Sequence, residues 1–504
     1  MSAESAARWI DVAPDVQVTG REGPRLSSGL LMAGSLLLVA LAMRLQFLGN
    51  PLLDSDEGFY LLVGERMLHG ALPFVDIWDR KPVGLFLLFA ALRRLGGDGV
   101  LAYQLAGTLV VAATAFLVAR LSRQFAPRGA AMVAGMIYLA WMVLGSAAGG
   151  QAELFLALPV SAAGLITMKG LQTPRAPGIW SRGLLSMLLI GLAVQIKYSA
   201  LFEGLFFGCC WLVIAWRAGS RRWLPLLATS WVCAAVLPTA AAAAWYAAHG
   251  HLEEFVFANF VSVFRRGPTS SAVLMLRIAG MSLLAVPLLA CIRVPSLPAR
   301  DPGRVAFRFT LGWLVASMVG MLALRSFLGQ YLLPMMVPAS AVTAPFFAKG
   351  PSRRAVLVLA LALFAGQARL WVTQRANGSR LELARITQQV DPGKCLFIYS
   401  GLSSLYRITG ECMPTKYAFP SHLSRAREAG SIGTDPVAEV GRIMSQQPGT
   451  VLVREPYKGD ENWAARAALM ASLGREYHIV YHGSLGWHEV DVYRRNVTDR
   501  PAAP

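Results

Sequence analysis

Between residues 50 and 82 the chain reads NPLLDSDEGFYLLVGERMLHGALPFVDIWDRKP. Asp54, Asp56, Glu57, Asp76 and Asp79 fall in this stretch together with Lys81. A carboxylate at a membrane boundary loses part of its hydration, which raises its basicity and suits it to taking a proton from a hydroxyl. A nearby lysine offers a cation to charge that builds up on a departing anion. Asp54 and Asp56 also spell D-x-D, a pairing that elsewhere holds a divalent metal. Most other charges in the hydrophobic two-thirds of the chain are Lys or Arg in short connectors. The acidic cluster therefore reads as a membrane-surface active site, and the rest of the chain as its scaffold.

The elements that must position these residues are apolar. Hydrophobic residues make up 55% of the 504, charged residues only 15%, and the mean hydropathy is +0.48. Many runs of near-spanning length predict a polytopic α-helical membrane protein. Eleven spans are expected, at about 29–48, 99–119, 130–147, 153–168, 183–198, 200–216, 223–247, 272–292, 306–324, 331–348 and 355–373. The first reads as an uncleaved span. The connectors assigned to the cytoplasm are all basic, which places the N-terminus inside and the segment after residue 373 outside. The acidic cluster then lies in an outer loop, 49–98, whose segments 57–69 and 82–95 have the spacing of helices lying on the membrane surface. The net charge of +18 resides mostly in the inner connectors rather than on one soluble face, which argues against a nucleic-acid surface.

The character changes near residue 374. KCLFIYSG and GTVLVREP read as strands, DPVAEVGRIMSQQ and ENWAARAALMASLG as amphipathic helices, and EYHIVYHGS and HEVDVYRRN as closing strands. The expected organisation is a transmembrane module over 1–373 and a small soluble α/β domain over 374–504 on the outer side. Cys209, Cys210, Cys233 and Cys291 fall in apolar runs and read as packing residues. Cys395 and Cys412 lie in the tail, as either a disulfide or two buried thiols. No Gly-rich phosphate loop is present.

The ordered string Asp56–Glu57–Gly58–x–Tyr60, then Leu68–x–Gly70–x–x–Pro73–Phe74–x–Asp76, then Lys81–Pro82, resembles the first outer loop of the GT-C class of membrane glycosyltransferases. The closest likeness is to the bacterial branch related to protein O-mannosyltransferases and lipid A aminoarabinose transferases. Looser matches are Gln151–Ala152–Glu153, Lys197–Tyr198 and the run from Gln330 and Tyr331 to Pro334. Two departures stand out. The family often has Lys-Pro-Pro where this chain has Lys81–Pro82–Val83, and in the aminoarabinose branch a basic residue follows the acidic pair where this chain has Gly58 and Phe59.

The resemblance implies a GT-C-like fold and a polyprenyl-phosphate-linked sugar donor. Transfer would take place on the outer face, with inversion, to a lipid, polysaccharide or protein. Asp56 is then the candidate general base, with helix capping as its plainer role. Glu57 either orients the acceptor or forms an ion pair. Lys81 is the candidate contact to the donor phosphate, and otherwise a snorkelling lysine. Asp76 and Asp79 position Lys81 or the acceptor, or are solvated loop residues. Arg265, Arg266 and Arg325 are outer-side cations that either complete a phosphate clamp or touch lipid headgroups. Glu153 and Lys197, at the outer ends of spans, line the sugar pocket or sit in interfacial water. Tyr331 belongs to the interfacial aromatic belt or to the donor groove. No metal is expected, with Asp54 and Asp56 as the alternative pair if one is needed. The expected location is the inner (plasma) membrane. The competing class is a transporter or flippase for a lipid-linked glycan. It would place paired charges near mid-span rather than in an outer loop.

Overall fold

The computed structural model describes residues 26–145, 147–175, 177–298, 300–324, 327–348 and 353–496. The membrane part is helical throughout. Its helices are α1 (Leu26–Arg44), α2 (Ser55–Leu68), α3 (Val83–Arg93), α4 (Val100–Ser122), α5 (Arg128–Leu144), α6 (Ala152–Gln172), α7 (Ile179–Val194), α8 (Leu201–Arg217), α9 (Leu224–Ala248), α10 (Leu252–Val256), α11 (Ser271–Ala290), α12 (Pro302–Leu324), α13 (Leu333–Val342), α14 (Arg353–Asn377) and α15 (Arg380–Thr387). Every expected span coincides with one of them. Eight segments among the described residues are long and apolar enough to cross a bilayer. The helices α5 and α7 are shorter, and α13 is extended by 3-10 turns at both ends. The chain is a multi-pass membrane protein.

Helix α4 packs on α1, α5 and α6; α6 in turn packs on α7 and α8, and α12 closes against α8 and α13. Small residues set these distances, as lipid-immersed helices require. Helices α9 and α11 turn most of their surface outward, with Leu237, Met275, Leu276 and Leu283 exposed.

The outer loop folds into the helical pair α2–α3. A Cβ on Gly64 would stand 2.6 Å from the Ala90 nitrogen, so only glycine lets α2 lie this close to α3. The turn leading into α2 is tied down at two points. Gly49 N–H donates to Gln104 Oε1 of α4 at 2.5 Å, and Asn377 of α14 donates to the Leu53 carbonyl at 2.7 Å.

The tail contains β1 (Leu396–Ile398), α16 (Ser404–Thr409), α17 (Ser421–Ser424), α18 (Pro436–Ser445), β2 (Thr450–Arg454), α19 (Trp463–Glu476), β3 (Tyr477–Leu485) and β4 (His488–Arg495). The sheet order is β1-β2-β4-β3, with β1 and β2 parallel and the other pairs antiparallel. Caps explain the helix starts: Asp435 receives Val437 N–H and Ala438 N–H, and Asn462 receives Ala465 N–H. A disulfide joins Cys395 to Cys412, so the pairing that composition left open is made.

The tail sits directly on the outer loop. Trp78 N–H donates to the Lys416 carbonyl at 2.8 Å, and the Trp78 ring lies in the tail's core, 4.7 Å from His422 and 5.7 Å from Tyr417. Phe59 of α2 meets Phe419 edge-on at 5.1 Å.

Candidate active site

Asp54 begins the site. Its backbone is extended, and its carboxylate accepts Asp56 N–H at 2.8 Å, so Asp54 rather than Asp56 is the N-cap of α2. Asp56 is thereby left in the first helical turn, where a negative charge is favoured by the helix dipole. It is half-buried, and one turn later the Tyr60 hydroxyl stands 3.4 Å from its Oδ2.

Glu57 points elsewhere, because consecutive helical residues are about 100° apart. It is buried, facing the Gly149–Gly150 backbone, Tyr103 of α4 and the guanidinium of Arg44. A Cβ on Gly149 would collide with its carboxylate. Neither oxygen has a well-formed hydrogen bond among the described residues. Burial pushes its pKa up to about 7, against the restraining influence of Gly150 and Arg44. Arg44 is itself buried at the outer end of α1. It donates to the carbonyls of Ala147 and Gly149, at 3.1 and 2.6 Å, and so pins the α5–α6 turn over Glu57.

The second contributing segment is 73–82. Phe74 adopts φ +73 and plugs its ring among Phe86, Tyr246 and Phe255, which fixes the turn. Asp76 is exposed and accepts Leu72 N–H at 2.7 Å, as a turn residue. Asp79 is buried and accepts Arg80 N–H at 2.7 Å. Arg80 and Lys81 then diverge. Arg80 enters the tail and binds Glu428 and Ser431 at 2.8 and 2.9 Å. Lys81 turns back, its Nζ 3.7 Å from Asp79 Oδ2 and 5.2 Å from the centre of the Tyr60 ring. Burial works against its charge, but Asp79 and Asp56 outweigh burial and hold its pKa above the ordinary lysine value.

Three further residues complete the cluster. Lys197, just beyond α7, forms an ion pair with Glu153 in the first turn of α6 and lies 4.3 Å over the Tyr331 ring. Asp56 and Lys81 both lie within the electrostatic reach of Lys197. The structure thus brings Asp56, Asp79, Lys81, Glu153, Lys197 and Tyr331 together, from segments up to 275 residues apart. It sets Asp76, Arg265 and Arg266 apart from them. Arg266 pairs with Glu428, and Arg265 is exposed, 5.5 Å over Phe257. Arg325 lies outside the described residues.

Sequence reasoning gave no role to Tyr60, which touches both Asp56 and Lys81, or to Arg44. The signal for Arg44 was present: it is a cation at the outer end of a span, against the inside bias. Nothing local marked Glu428 as the partner of Arg80.

In chemical terms, the cluster offers one half-buried carboxylate and two cations close to one another. A hydroxyl can lose a proton there, and a phosphate can be neutralised.

No family model and no curated protein sequence matches the chain. Solved structures do. ArnT from Cupriavidus metallidurans bound to undecaprenyl phosphate aligns with a TM-score of 0.58 at 14% identity, over 95% of this chain and 99% of that one. The same protein in its apo state aligns at 0.57 and 16% identity, over 93% and 98%. An oligosaccharyltransferase from Archaeoglobus fulgidus in the apo form aligns at 0.50 and 11% identity, over 94% of this chain and 75% of that one. At such identities the likeness is one of fold. The GT-C-like architecture expected from the first outer loop, a helical membrane module carrying a small C-terminal sheet domain, is the one observed.

Proposed function

We propose that this chain is a membrane glycosyltransferase that moves a sugar from a polyprenyl-phosphate-linked donor to an extracytoplasmic lipid, polysaccharide or protein, with inversion. The observation that carries the reading is the convergence of Asp56 and Lys81 on Tyr60, beside Lys197. The structural neighbour ArnT was captured with undecaprenyl phosphate, a lipid phosphate of the kind proposed for the donor.

In this mechanism Asp56 accepts the proton of the acceptor hydroxyl. The acceptor oxygen forms a bond to the anomeric carbon from the face opposite the phosphate. The bond from that carbon to the phosphate oxygen breaks, and its electron pair leaves with the polyprenyl phosphate. Lys81 and Lys197 neutralise the phosphate as its charge grows. Tyr60 holds Asp56 and Lys81 in register, and Tyr331 orients Lys197. Glu153 and Asp79 keep the two lysines charged. Glu57 and Arg44 position the loop from beneath. No metal enters these steps. The orientation that goes with the chemistry puts the N-terminus in the cytoplasm and the tail outside the inner (plasma) membrane.

The test is transfer of label from radiolabelled polyprenyl-phosphate sugars into total membrane acceptors, comparing the unmodified chain with Asp56→Asn and running EDTA in parallel. Incorporation that the substitution abolishes and EDTA leaves untouched supports the reading. Transfer that survives in Asp56→Asn removes the base role. Absence of transfer with every donor, alongside movement of a lipid-linked glycan across vesicles, replaces the transferase with a flippase.

A further inference from the structure

A second concentration of cations lies away from Asp56, where the tail meets the outer end of α11. A cleft of about 150 Å³ opens there, lined by Thr269, Ser270, Arg277, Arg425, Lys458 and Asp460 among others. Asp460 is the only carboxylate among its described lining residues and is already engaged by Arg425 at 3.4 Å and by Arg427 at 3.2 Å. Arg425 is braced 4.1 Å over the Tyr457 ring. Arg277 lies in the fields of Arg425, Asp460 and Arg266. Burial, together with Arg266 and Arg425, pushes the pKa of Arg427 down to about 10. Among the described residues cations outnumber carboxylates here, and an added anion relieves the mutual repulsion of Arg425, Arg427 and Arg266.

Two features say which anion. Ser270 is the N-cap residue of the 20-residue α11, yet its side chain makes no capping hydrogen bond, so the positive end of that helix faces the cleft with a hydroxyl to offer. Arg277 lies two turns down the same helix, about 10 Å below its start. Its neighbours Met275 and Leu276 are among the most exposed apolar side chains, at 73% and 75%. One wall of the cleft is therefore a membrane span with a lipid-facing surface, and the other is a basic loop of the soluble domain. A soluble phosphate would use the polar groups of the two walls alone, whereas a phospholipid would also lay its chains along the exposed Met275–Leu276 face of α11.

We propose that this cleft binds the phosphate of an anionic lipid headgroup in the outer leaflet, with Arg277, Arg425 and Lys458 as its cations and the α11 N-terminus beneath. The site is distinct from the Asp56 cluster, and its existence does not depend on the transferase reading. It is joined to that cluster by a chain of ion pairs. Arg427 bridges Asp460 and Glu428, Glu428 holds Arg80, and Arg80 adjoins Lys81.

The test is native mass spectrometry of the purified full chain in detergent, titrated with phosphatidic acid, with phosphatidylcholine as reference and glycerol 3-phosphate as competitor. The comparison set is Arg277→Gln, Lys458→Gln and Arg221→Gln. Lys458 is exposed, so its substitution leaves folding intact, and Arg221 lies in a distant basic connector. The expected result is saturable binding of phosphatidic acid, weakened about tenfold by each of the first two substitutions and unchanged by the third. Glycerol 3-phosphate is expected not to compete. Equal binding by the unmodified chain and by Arg277→Gln and Lys458→Gln overturns the proposal, as does an equal loss in Arg221→Gln. Glycerol 3-phosphate binding as tightly as the lipid overturns the lipid assignment and makes the cleft a site for soluble phosphate.

Discussion

Arg80 and Lys81 are neighbours in the chain but serve opposite electrostatic arrangements. Arg80 ends on Glu428, a buried carboxylate that also takes Arg266 and lies 3.7 Å from Arg427. Lys81 ends in a looser setting, with Asp79 at 3.7 Å, a Tyr60 ring beneath it and a half-buried Asp56 in range. Around Glu428 the carboxylate is surrounded by matched donors, and the arrangement holds the tail against the outer loop. Around Lys81 the contacts are longer, and a half-buried carboxylate and a second lysine lie within its electrostatic reach. The same residue types therefore stabilise where their contacts are saturated and can react where they are not.

The sharpest way to break this comparison is to remove one carboxylate from each region. Asp56→Asn is expected to lower transfer by a factor of about 10²–10⁴, the usual worth of a general base, while the melting temperature stays within about 1 °C. An Asp56→Asn chain that melts far below the unmodified one shows the carboxylate to be structural. Glu428→Gln is expected to do the reverse. It leaves Arg80, Arg266 and Arg427 facing a neutral group in a buried position, at a cost of about 3 kcal/mol measured by thermal unfolding in detergent. Transfer per folded molecule is expected to change by no more than about threefold. A normal melting curve for Glu428→Gln removes the structural half of the contrast.

A smaller effect separates the tail from the membrane module. Reducing Cys395–Cys412, which closes a loop of 17 residues, is expected to cost the tail about 2–3 kcal/mol. Hydrogen exchange should then rise in β1 and α16 and stay unchanged in α4 to α8. Uniform exchange across both regions would show that the disulfide supports the whole fold.

The smallest effects lie in pH and sharpen the comparison by sign. Burial alone would raise the pKa of Glu428, but Arg80 and Arg266 reverse this and hold it well below the ordinary carboxylate value. Its contribution to stability is therefore present above about pH 4.5 and lost as pH falls below that. Glu57 is raised to about 7. Its contribution is complete below about pH 4.5 and is lost as pH rises through about 7. Glu428→Gln should flatten the acid limb of a stability profile, and Glu57→Gln the neutral-to-alkaline limb. Exchange of these two outcomes would invert the assignment.

Much of the fold was legible because apolar runs and basic connectors repeat along the chain, and each expected span coincides with a helix. The tail's strands and helices were equally plain from alternating and helical patterning at β2, α18 and β3. The site was legible where it is continuous. Asp56 and Lys81 belong to one string of 33 residues from Asn50 to Pro82 and meet in space. Residues brought from afar were harder. Glu153, Lys197 and Tyr331 were marked by their places at span ends and by the loose resemblance, but nothing in their own surroundings says that the three span ends converge. Arg266 and Glu428 are 162 residues apart, so the partner that draws Arg266 away from the cluster could not be read locally. The capping of α2 was misplaced by two residues because Asp54 and Asp56 are both good caps, and only the backbone shows that Asp54 is the extended one.

The bond from Trp78 N–H to the Lys416 carbonyl also bears on how the protein is made. Its two ends are separated by 338 residues, so at ordinary rates of synthesis they emerge about 20–70 s apart. Throughout that interval the outer loop carries Asp56 and Lys81 without the domain whose core receives the Trp78 ring. The loop is therefore made well before the domain that completes its shape. A nascent chain stays without this contact until its tail has been made and has folded onto the loop.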